Sequence, residues 1–153
     1  MRLVSLILML GTFFFAAQAH ADFFGKGVKD ITAKDGNIII DASKLDKAQA
    51  WHYRYKEDGK VIKFFVVRDK QGALRAALDA CEQCWRAGKG YKMTDDGFML
   101  CVNCRMKFVL NRIGLVAGGC NPHPFQYTAE GNSVVIAAQE LMQGAGYFPE
   151  NVR

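Results

Sequence analysis

Cys81-Glu82-Gln83-Cys84 and Cys101-Val102-Asn103-Cys104 are two Cys-x-x-Cys pairs separated by sixteen residues, and they decide how the rest of the chain is interpreted. A two-residue gap lets both sulfurs of a tight turn face one ion, so the doubled pair is typical of a four-thiolate metal site. The run Gly118-Gly119-Cys120-Asn121-Pro122 holds the fifth and last cysteine. Because five is odd, the thiols cannot all pair as disulfides within one chain.

Strand patterns surround the cysteine region. Residues 51–56 alternate between apolar and polar side chains, and residues 61–67 are almost continuously apolar. The Asp58-Gly59 turn signal between them predicts a hairpin whose second strand is the more deeply buried. His52 falls on the polar face of the first strand and is expected to be solvated. Further strands are predicted at residues 38–40, 73–80, 98–100, 106–110 and 133–136.

The expected fold class is mainly β, or α+β at most. It consists of a small antiparallel sheet, a zinc-ribbon-like double Cys-x-x-Cys metal knuckle and one short C-terminal helix. The helix is predicted at residues 137–143, which have the only good helix-forming composition after the N-terminal region. A loop and a short hairpin are expected between the two Cys-x-x-Cys pairs.

The N-terminal region has the pattern of a secretory signal peptide. Leu3 to Ala17 is an apolar stretch, and Ala19-His20-Ala21 has the small-x-small form of a cleavage site. The stretch is shorter than the roughly 20 residues of a spanning helix, which favours cleavage after Ala21 over an uncleaved anchor. The expected organisation is a signal peptide or anchor at 1–21, an N-terminal arm at 22–37 and one cysteine-rich domain at 38–153.

The distribution of charged residues and the expected export of the chain limit the classes of function that it can have. The 20 Lys and Arg residues are interspersed with 15 Asp and Glu residues, so the basic stripe of a nucleic-acid binder is missing and this class is excluded. No pattern supports hydrolysis or phosphoryl transfer. Export places the thiols in an oxidising compartment, where metal binding must compete with disulfide formation.

Six motifs together resemble the FtrD-like family of membrane-associated iron–sulfur proteins. The resemblance covers nearly all of the chain after residue 21, and the Gly-Gly-Cys-Asn-Pro run is not part of a generic zinc ribbon. One departure is Arg105, where the family often has glycine. A glycine there would suit a positive φ. Arginine therefore predicts either a different turn or a cationic donor that stabilises the negative charge of the thiolates and of a bound cluster. The motifs are residues 66–72, 78–84, 88–91, 99–104, 112–114 and 118–122.

The resemblance implies a role in high-affinity iron uptake at the bacterial envelope. Family members act beside a ferrous-iron permease, a cupredoxin-like protein and a periplasmic iron-binding protein, as electron acceptors when iron is oxidised for transport. The chain is therefore expected to be an electron carrier rather than a catalyst of its own reaction. Its expected place is the periplasmic face of the inner membrane after Sec export, held there through partners or an uncleaved N terminus.

The expected ligands of the metal or cluster are Cys81, Cys84, Cys101 and Cys104. Cys120 is expected to assist them as a further ligand or a resolving thiol, and His123 is a more remote ligand candidate. Trp85, Tyr91 and Phe108 are expected to shield the site from water.

The occupant of the site stays open at this point. The resemblance implies an iron–sulfur cluster. Zinc is the simpler occupant, because clusters are generally assembled in the cytoplasm and the N-terminal region lacks the twin arginine of folded export. Other thiophilic metals suit the same thiolates. The alternative function is an interaction module stabilised by structural zinc or by disulfides, without a redox role.

Overall fold

The computed structural model describes residues 27–149. The predicted signal peptide and the first residues of the predicted arm lie outside the described residues. No helix between residues 27 and 149 is both long and apolar enough to cross a membrane. The elements are β1 Lys29–Ile31, β2 Asn37–Asp41, β3 Gln49–Glu57, β4 Lys60–Arg68, β5 Leu74–Leu78, β6 Tyr91–Met93, β7 Phe98–Cys101, β8 Lys107–Val109, β9 Thr128–Glu130, β10 Ser133–Ala137 and helix α1 Ala138–Gln143, with 3₁₀ turns at Trp85–Ala87, Leu110–Arg112 and Ala145–Tyr147.

The largest sheet has the order β1-β3-β4-β5 and contains the predicted hairpin. Strands β3 and β4 pair antiparallel, with Glu57 opposite Lys60, and Asp58 and Gly59 between them have φ angles of 48° and 72°. Positive φ at both turn positions is the type I′ pattern that matches the twist of paired strands. β1 pairs with β3 in parallel. The hairpin prediction is confirmed.

Strand β4 is buried on both faces and separates two hydrophobic cores. Phe64 and Val66 point into the first core, and Phe65 and Val67 point into the second. All four side chains are fully buried. Alternate side chains of a strand point to opposite faces, so one continuous apolar run supplies both cores.

The first core is closed by the second sheet, of order β2-β10-β9, and by α1. Ile38 and Ile40 of β2 are buried, while Ile39 between them is 66% exposed, so this short run alternates as a half-buried strand. The predicted strands at 38–40 and 133–136 and the C-terminal helix are present. β9 was not predicted.

The third sheet, β6-β7-β8, packs its apolar side chains into the second core and carries the second Cys-x-x-Cys pair. The expected antiparallel arrangement holds in this sheet and in the second.

β6 also packs against β3. His52 is consequently half-buried, with its ring centroid 5.5 Å from that of Phe65. The prediction that His52 is solvated is wrong, because the third sheet covers that side of β3.

The outer edge of β5 is covered by the loop that follows the third sheet. The backbone N–H of Leu78 donates to the carbonyl of His123 at 2.9 Å, and the N–H of His123 donates to Ala80 at 2.9 Å. Upstream in the same loop, Gly114 lies so close to the carbonyl of Ala76 that a Cβ at this glycine would overlap that oxygen. These contacts fix the loop that carries Cys120.

Candidate metal centre

All five cysteine sulfurs meet between the second core and the surface. They form two groups of three, and within each group every sulfur lies within 4.8 Å of the other two. We call Cys81, Cys84 and Cys101 the inner trio, and Cys84, Cys104 and Cys120 the outer trio. The sequence spacing pairs 81 with 84 and 101 with 104, whereas the structure combines members of both pairs and places Cys120 beside Cys84 and Cys104. Cys84 belongs to both trios.

The first Cys-x-x-Cys pair lies in a turn that follows β5. The backbone N–H of Trp85 donates to the carbonyl of Cys81 at 3.2 Å, which closes the turn. The N–H of Cys84 points at the Cys81 sulfur at 3.2 Å. An N–H aimed at sulfur stabilises a thiolate, so the turn prepares Cys81 as a ligand.

The second pair begins at the end of β7 and closes in a similar way. The N–H of Arg105 donates to the carbonyl of Cys101 at 3.0 Å, and the N–H of Cys101 donates to Met106 at 3.0 Å. Arg105 has a φ of 66°, in the left-handed region that glycine occupies easily. The expectation of a different turn at Arg105 is therefore wrong, since the arginine adopts the glycine-like conformation.

Arg105→Gly is expected to raise the free energy of unfolding by about 0.5 kcal/mol. A left-handed conformation costs a non-glycine residue about 1–2 kcal/mol, and the greater freedom of glycine in the unfolded chain offsets part of this gain. Chemical denaturation of the metal-free protein under reducing conditions measures the change. Arg112→Gly is the matched control, because Arg112 ends a 3₁₀ turn without a positive φ and should lose stability. A loss of stability in both variants would contradict the prediction.

Cys120 is positioned by a tight glycine turn and by Tyr91. The N–H of Asn121 donates to the carbonyl of Gly118 at 3.2 Å, and the Asn121 side-chain amide donates to the same oxygen at 3.0 Å. The Tyr91 hydroxyl donates to the carbonyl of Cys120 at 2.6 Å. The Cys120 sulfur then lies 3.8 Å from the Cys84 sulfur.

The five thiols differ in burial and acidity. Cys81 and Cys101 are buried, Cys84 and Cys120 are half-buried, and Cys104 is exposed. Burial raises the pKa of Cys101 to about 12 and also raises the pKa of Cys120. Burial acts in the same direction on Cys104, but hydrogen bonds from the Met106 backbone and from neighbouring thiols outweigh it and leave its pKa below the ordinary value. Cys104 is thus more readily deprotonated than Cys101 or Cys120.

Tyr91 shields the cluster and is hydrogen-bonded within it. Its side chain is 5% exposed, and its ring packs edge-on to Phe108 with 6.1 Å between centroids. Burial, followed by a hydrogen bond with the Cys81 thiol, raises the pKa of the Tyr91 hydroxyl. This hydroxyl therefore stays protonated and remains a donor beside the sulfurs.

Tyr91→Phe is expected to lower the free energy of unfolding by about 1.5 kcal/mol, because the carbonyl of Cys120 loses its partner. It is also expected to weaken metal binding about tenfold, as losses of supporting hydrogen bonds around metal ligands do. Denaturation and competitive metal titration measure the two effects. Tyr53→Phe is the control, since Tyr53 lies in the first core. Unchanged metal affinity in Tyr91→Phe would refute the supporting role.

His123 lies beside the cluster but outside both trios. Its Nδ1 is 3.2 Å from the Tyr147 hydroxyl and 3.9 Å from a carboxylate oxygen of Glu82. Its ring also stacks at a tilt on Tyr147, with 4.7 Å between centroids. In this arrangement His123 joins the C-terminal 3₁₀ turn to the loop that follows Cys120.

A cavity of about 260 Å³ opens beside the inner trio. All three inner sulfur residues line it, while Cys104 and Cys120 do not. The charged residues that line the cavity are Arg54, Lys63 and Asp79, and Trp85 packs edge-on to Tyr147 in its wall. The centre can thus be approached from two sides, through the cavity and at the exposed Cys104.

Asp79 is a residue that the motif reasoning missed. Its carboxylate accepts the backbone N–H of Tyr91 at 2.6 Å and lies 3.7 Å from His52. A Cβ at Gly90 would come within 2.5 Å of this carboxylate, so glycine is needed for the close approach. In the sequence, the Gly88-Lys89-Gly90-Tyr91 run was the only signal of this contact. Gly90 has no side chain, which leaves room for the Asp79 carboxylate to reach the backbone of Tyr91.

The donor chemistry fits thiophilic metals. Cysteine thiolates hold iron–sulfur clusters, zinc and cuprous ions, and the five thiols are close enough to share an occupant. The two backbone-closed turns and the Tyr91 hydroxyl hold sulfurs from three segments together in the same place. The arrangement fits an iron–sulfur group as well as single ions, and any of these would be held by the two trios.

Comparison with known proteins identifies the family. The family model described as "Membrane iron-sulfur containing protein FtrD-like" matches residues 45–148. This range includes all five cysteines and the loop that covers β5. Searches of curated proteins and of solved structures gave no significant match. Because the matched range covers more than half of the chain, the protein belongs to the FtrD-like family of membrane iron–sulfur containing proteins.

Proposed function

We propose that this protein is an exported metal- or cluster-binding electron carrier that serves a bacterial envelope iron-uptake system. The observation that carries the proposal is the convergence of five free thiols in two trios that share Cys84. A purely structural zinc site would use four thiolates, so the fifth thiol calls for an additional role.

The surroundings of the cluster suit electron transfer. Tyr91 and Phe108 exclude water on the buried side, while Cys104 reaches the surface, where a partner could approach closely. An iron–sulfur group would supply one-electron chemistry when bound. The N–H of Cys84 would hydrogen-bond to the Cys81 sulfur and reduce its negative charge, which favours the more reduced state of a bound redox group.

The proposed partners are an iron permease and periplasmic iron-transport components. The proposed location is the periplasmic face of the inner membrane, reached by Sec export and maintained through these partners or an uncleaved N terminus. Membership of a membrane-associated family and the signal pattern of residues 1–21 support this placement.

Anaerobic purification from the bacterial envelope, followed by metal and sulfide analysis and a visible absorption spectrum, tests the proposal. Bound redox-active metal with charge-transfer bands that change on reduction is the expected result. Stoichiometric colourless zinc without a redox-active metal would overturn the electron-carrier function. Loss of the bands in Cys104→Ser, with the fold retained by circular dichroism, would link the signal to the cluster.

One observation favours the second candidate, an interaction module with a structural centre. Cys81 and Cys101 are part of the second core, so a metal on the inner trio would fasten the third sheet to β5. In that case metal removal should unfold or loosen the third sheet, while electron exchange with iron-uptake partners should be undetectable. Hydrogen exchange of the third sheet with and without metal therefore separates the two functions when combined with the redox measurement.

A further inference from the structure

The exposed end of the metal centre lies in a surface of one charge sign. Cys104 is the exposed thiol, and residues 103–107 are all exposed around it. The segments 83–94 and 97–129 carry all three outer thiols and contain no Asp or Glu. Charges are mixed along the chain as a whole, but those on these segments are all positive. They belong to the exposed residues Arg86, Lys89, Lys92, Arg105, Lys107 and Arg112.

Three of these cations lie on the turns that hold the two Cys-x-x-Cys pairs. Arg86 is in the 3₁₀ turn that follows the first pair, and Arg105 directly follows the second. Lys89 is next to Gly90, whose carbonyl accepts the backbone N–H of Val102 at 3.0 Å, within the second pair. The fold therefore brings cations from separate parts of the sequence to the end of the centre that Cys104 exposes.

The charge of these three cations is not neutralised within residues 27–149, where none of them pairs with a carboxylate. The nearest acidic side chains in the sequence have other partners. Asp96, in the β6–β7 turn, pairs with Lys107 at 2.6 Å, and Glu82 lies 3.9 Å from His123. Charge of one sign that is left unpaired at a surface attracts and orients molecules of the opposite sign.

An exposed apolar side chain adjoins this charge. Met106 directly follows Arg105 and is 53% exposed. Methionine adapts to partner surfaces of different shape, and methionine and arginine are both enriched in protein–protein interfaces. An apolar contact with a charged rim beside a redox centre suits the small, short-lived interfaces of electron-transfer proteins. We define the thiol face as Arg86, Lys89, Cys104, Arg105 and Met106.

The position of Cys104 distinguishes between two kinds of anionic partner. A protein with acidic side chains around an apolar contact would complement the thiol face, because opposite charges steer association and fix orientation. Anionic lipid headgroups would also attract the cations, but lipid over Cys104 would separate the centre from its electron partners. The exposed thiol therefore favours a protein.

We propose that the thiol face is the docking surface for an acidic electron-transfer protein, whose carboxylates pair with Arg86, Lys89 and Arg105 and whose apolar side chain packs on Met106. Exchange of one electron across this face would oxidise one centre and reduce the other, without forming or breaking a bond. The inference rests on the proposed function, which supplies the reason for a redox partner.

Peptide binding tests the surface without redox chemistry. One fluorescent peptide alternates glutamate with leucine, and a second contains glutamate alone. Fluorescence anisotropy with the metal-bound full-length protein measures the Kd of each peptide at low ionic strength. Met106→Ser is expected to weaken only the mixed peptide, by about threefold, because a half-exposed side chain gains only part of its burial energy.

Charge reversal tests the cations. Arg105→Glu is expected to weaken both peptides about tenfold at low ionic strength and less at high ionic strength. Arg105→Lys keeps the charge and should bind as the wild type does. Lys34→Glu is the matched control, because it changes the net charge equally at an exposed position before β2, on the far side of the first core. The absorption spectrum and circular dichroism verify the centre and the fold of each variant.

Stopped-flow oxidation by inorganic ions shows where electrons leave. Added salt is expected to slow the reaction with the anion ferricyanide and to accelerate that with the cation tris(phenanthroline)cobalt(III), because salt screens the local charge. Arg105→Glu should lower the ferricyanide rate about fivefold at low ionic strength, while Lys34→Glu should stay within about twofold of the wild type. The mixed peptide should slow the ferricyanide reaction of the wild type.

The outcomes separate this inference from the proposed function. Equal peptide affinities and equal ferricyanide rates in Arg105→Glu and Lys34→Glu would overturn the docking surface and leave the electron-carrier function standing. Phosphatidylglycerol vesicles that bind the wild type more tightly than the mixed peptide does, and that lose this binding in Arg105→Glu, would replace the protein partner by a membrane surface. Absence of electron exchange with both ions would overturn the proposed function, and the redox partner with it.

Discussion

Gly114→Ala is expected to lower the free energy of unfolding by about 3 kcal/mol. Gly114 has a φ of 72°, and a Cβ there would overlap the carbonyl oxygen of Ala76 in β5. The left-handed conformation costs alanine about 1 kcal/mol, and relief of a collision with backbone costs about 2 kcal/mol more. A buried strand cannot yield as a flexible side chain would, so the loop must move instead.

The displaced loop is the one that carries Cys120. Gly114→Ala is therefore also expected to weaken metal binding at the outer trio more than at the inner trio. Urea denaturation measures the stability, and metal titration measures the binding. Gly36→Ala is the matched control, because Gly36 has a φ of 76° with no atom within 4 Å of the added Cβ. Equal effects of the two substitutions would show that the contact with Ala76 has no energetic role.

Arg68→Met is expected to destabilise the protein by about 3 kcal/mol without changing the metal centre. The half-buried Arg68 guanidinium donates to the carbonyls of Leu45 at 2.7 Å, Ala42 at 2.7 Å and Gly72 at 3.0 Å. It also donates to the side-chain oxygen of Asn132 at 2.9 Å. A buried hydrogen bond from a charged donor contributes about 1.5–3 kcal/mol. Three of these four bonds are only partly buried and the fourth is exposed, so their acceptors regain water in the variant and the expected net loss is near the value of a single buried bond. Methionine keeps the apolar stem of the side chain.

Arg54→Met is the control for Arg68→Met, because the Arg54 guanidinium pairs with Asp30 at the exposed edge of the same sheet. Exposed ion pairs contribute little, so only a small change is expected there. Thermal and chemical denaturation of both variants provide the comparison. Similar stabilities of the two variants would mean that the connection between the first two sheets does not depend on Arg68.

Most of the strands could be predicted because their patterns are local. The Asp58-Gly59 turn and the apolar run of β4 specify the hairpin without knowledge of the remaining chain. β9 could not be predicted, since all three of its residues are exposed and its place is fixed by pairing with β10. His52 was misjudged because the cover over its face comes from β6, almost forty residues later.

The location of the cysteine site followed from spacing, but its internal arrangement did not. Two-residue gaps bring Cys81 near Cys84 and Cys101 near Cys104 in any turn of this kind. The position of Cys120 depends on the close approach of Gly114 to β5 and on the Tyr91 hydroxyl, which are long-range contacts. The left-handed Arg105 likewise contradicts local preference, since the turn that positions Cys104 overrides it.

Strand β4 gives the metal centre an influence on the lifetime of the whole molecule. Because its side chains fill both cores, the thiol-bearing half cannot unfold alone without exposing Phe65 and Val67. An ion that binds only the folded chain then protects every part of it, by about 2.7 kcal/mol at a hundredfold excess over its dissociation constant. Proteases would accordingly remove the metal-free chain first, so metal supply itself would set how much protein persists.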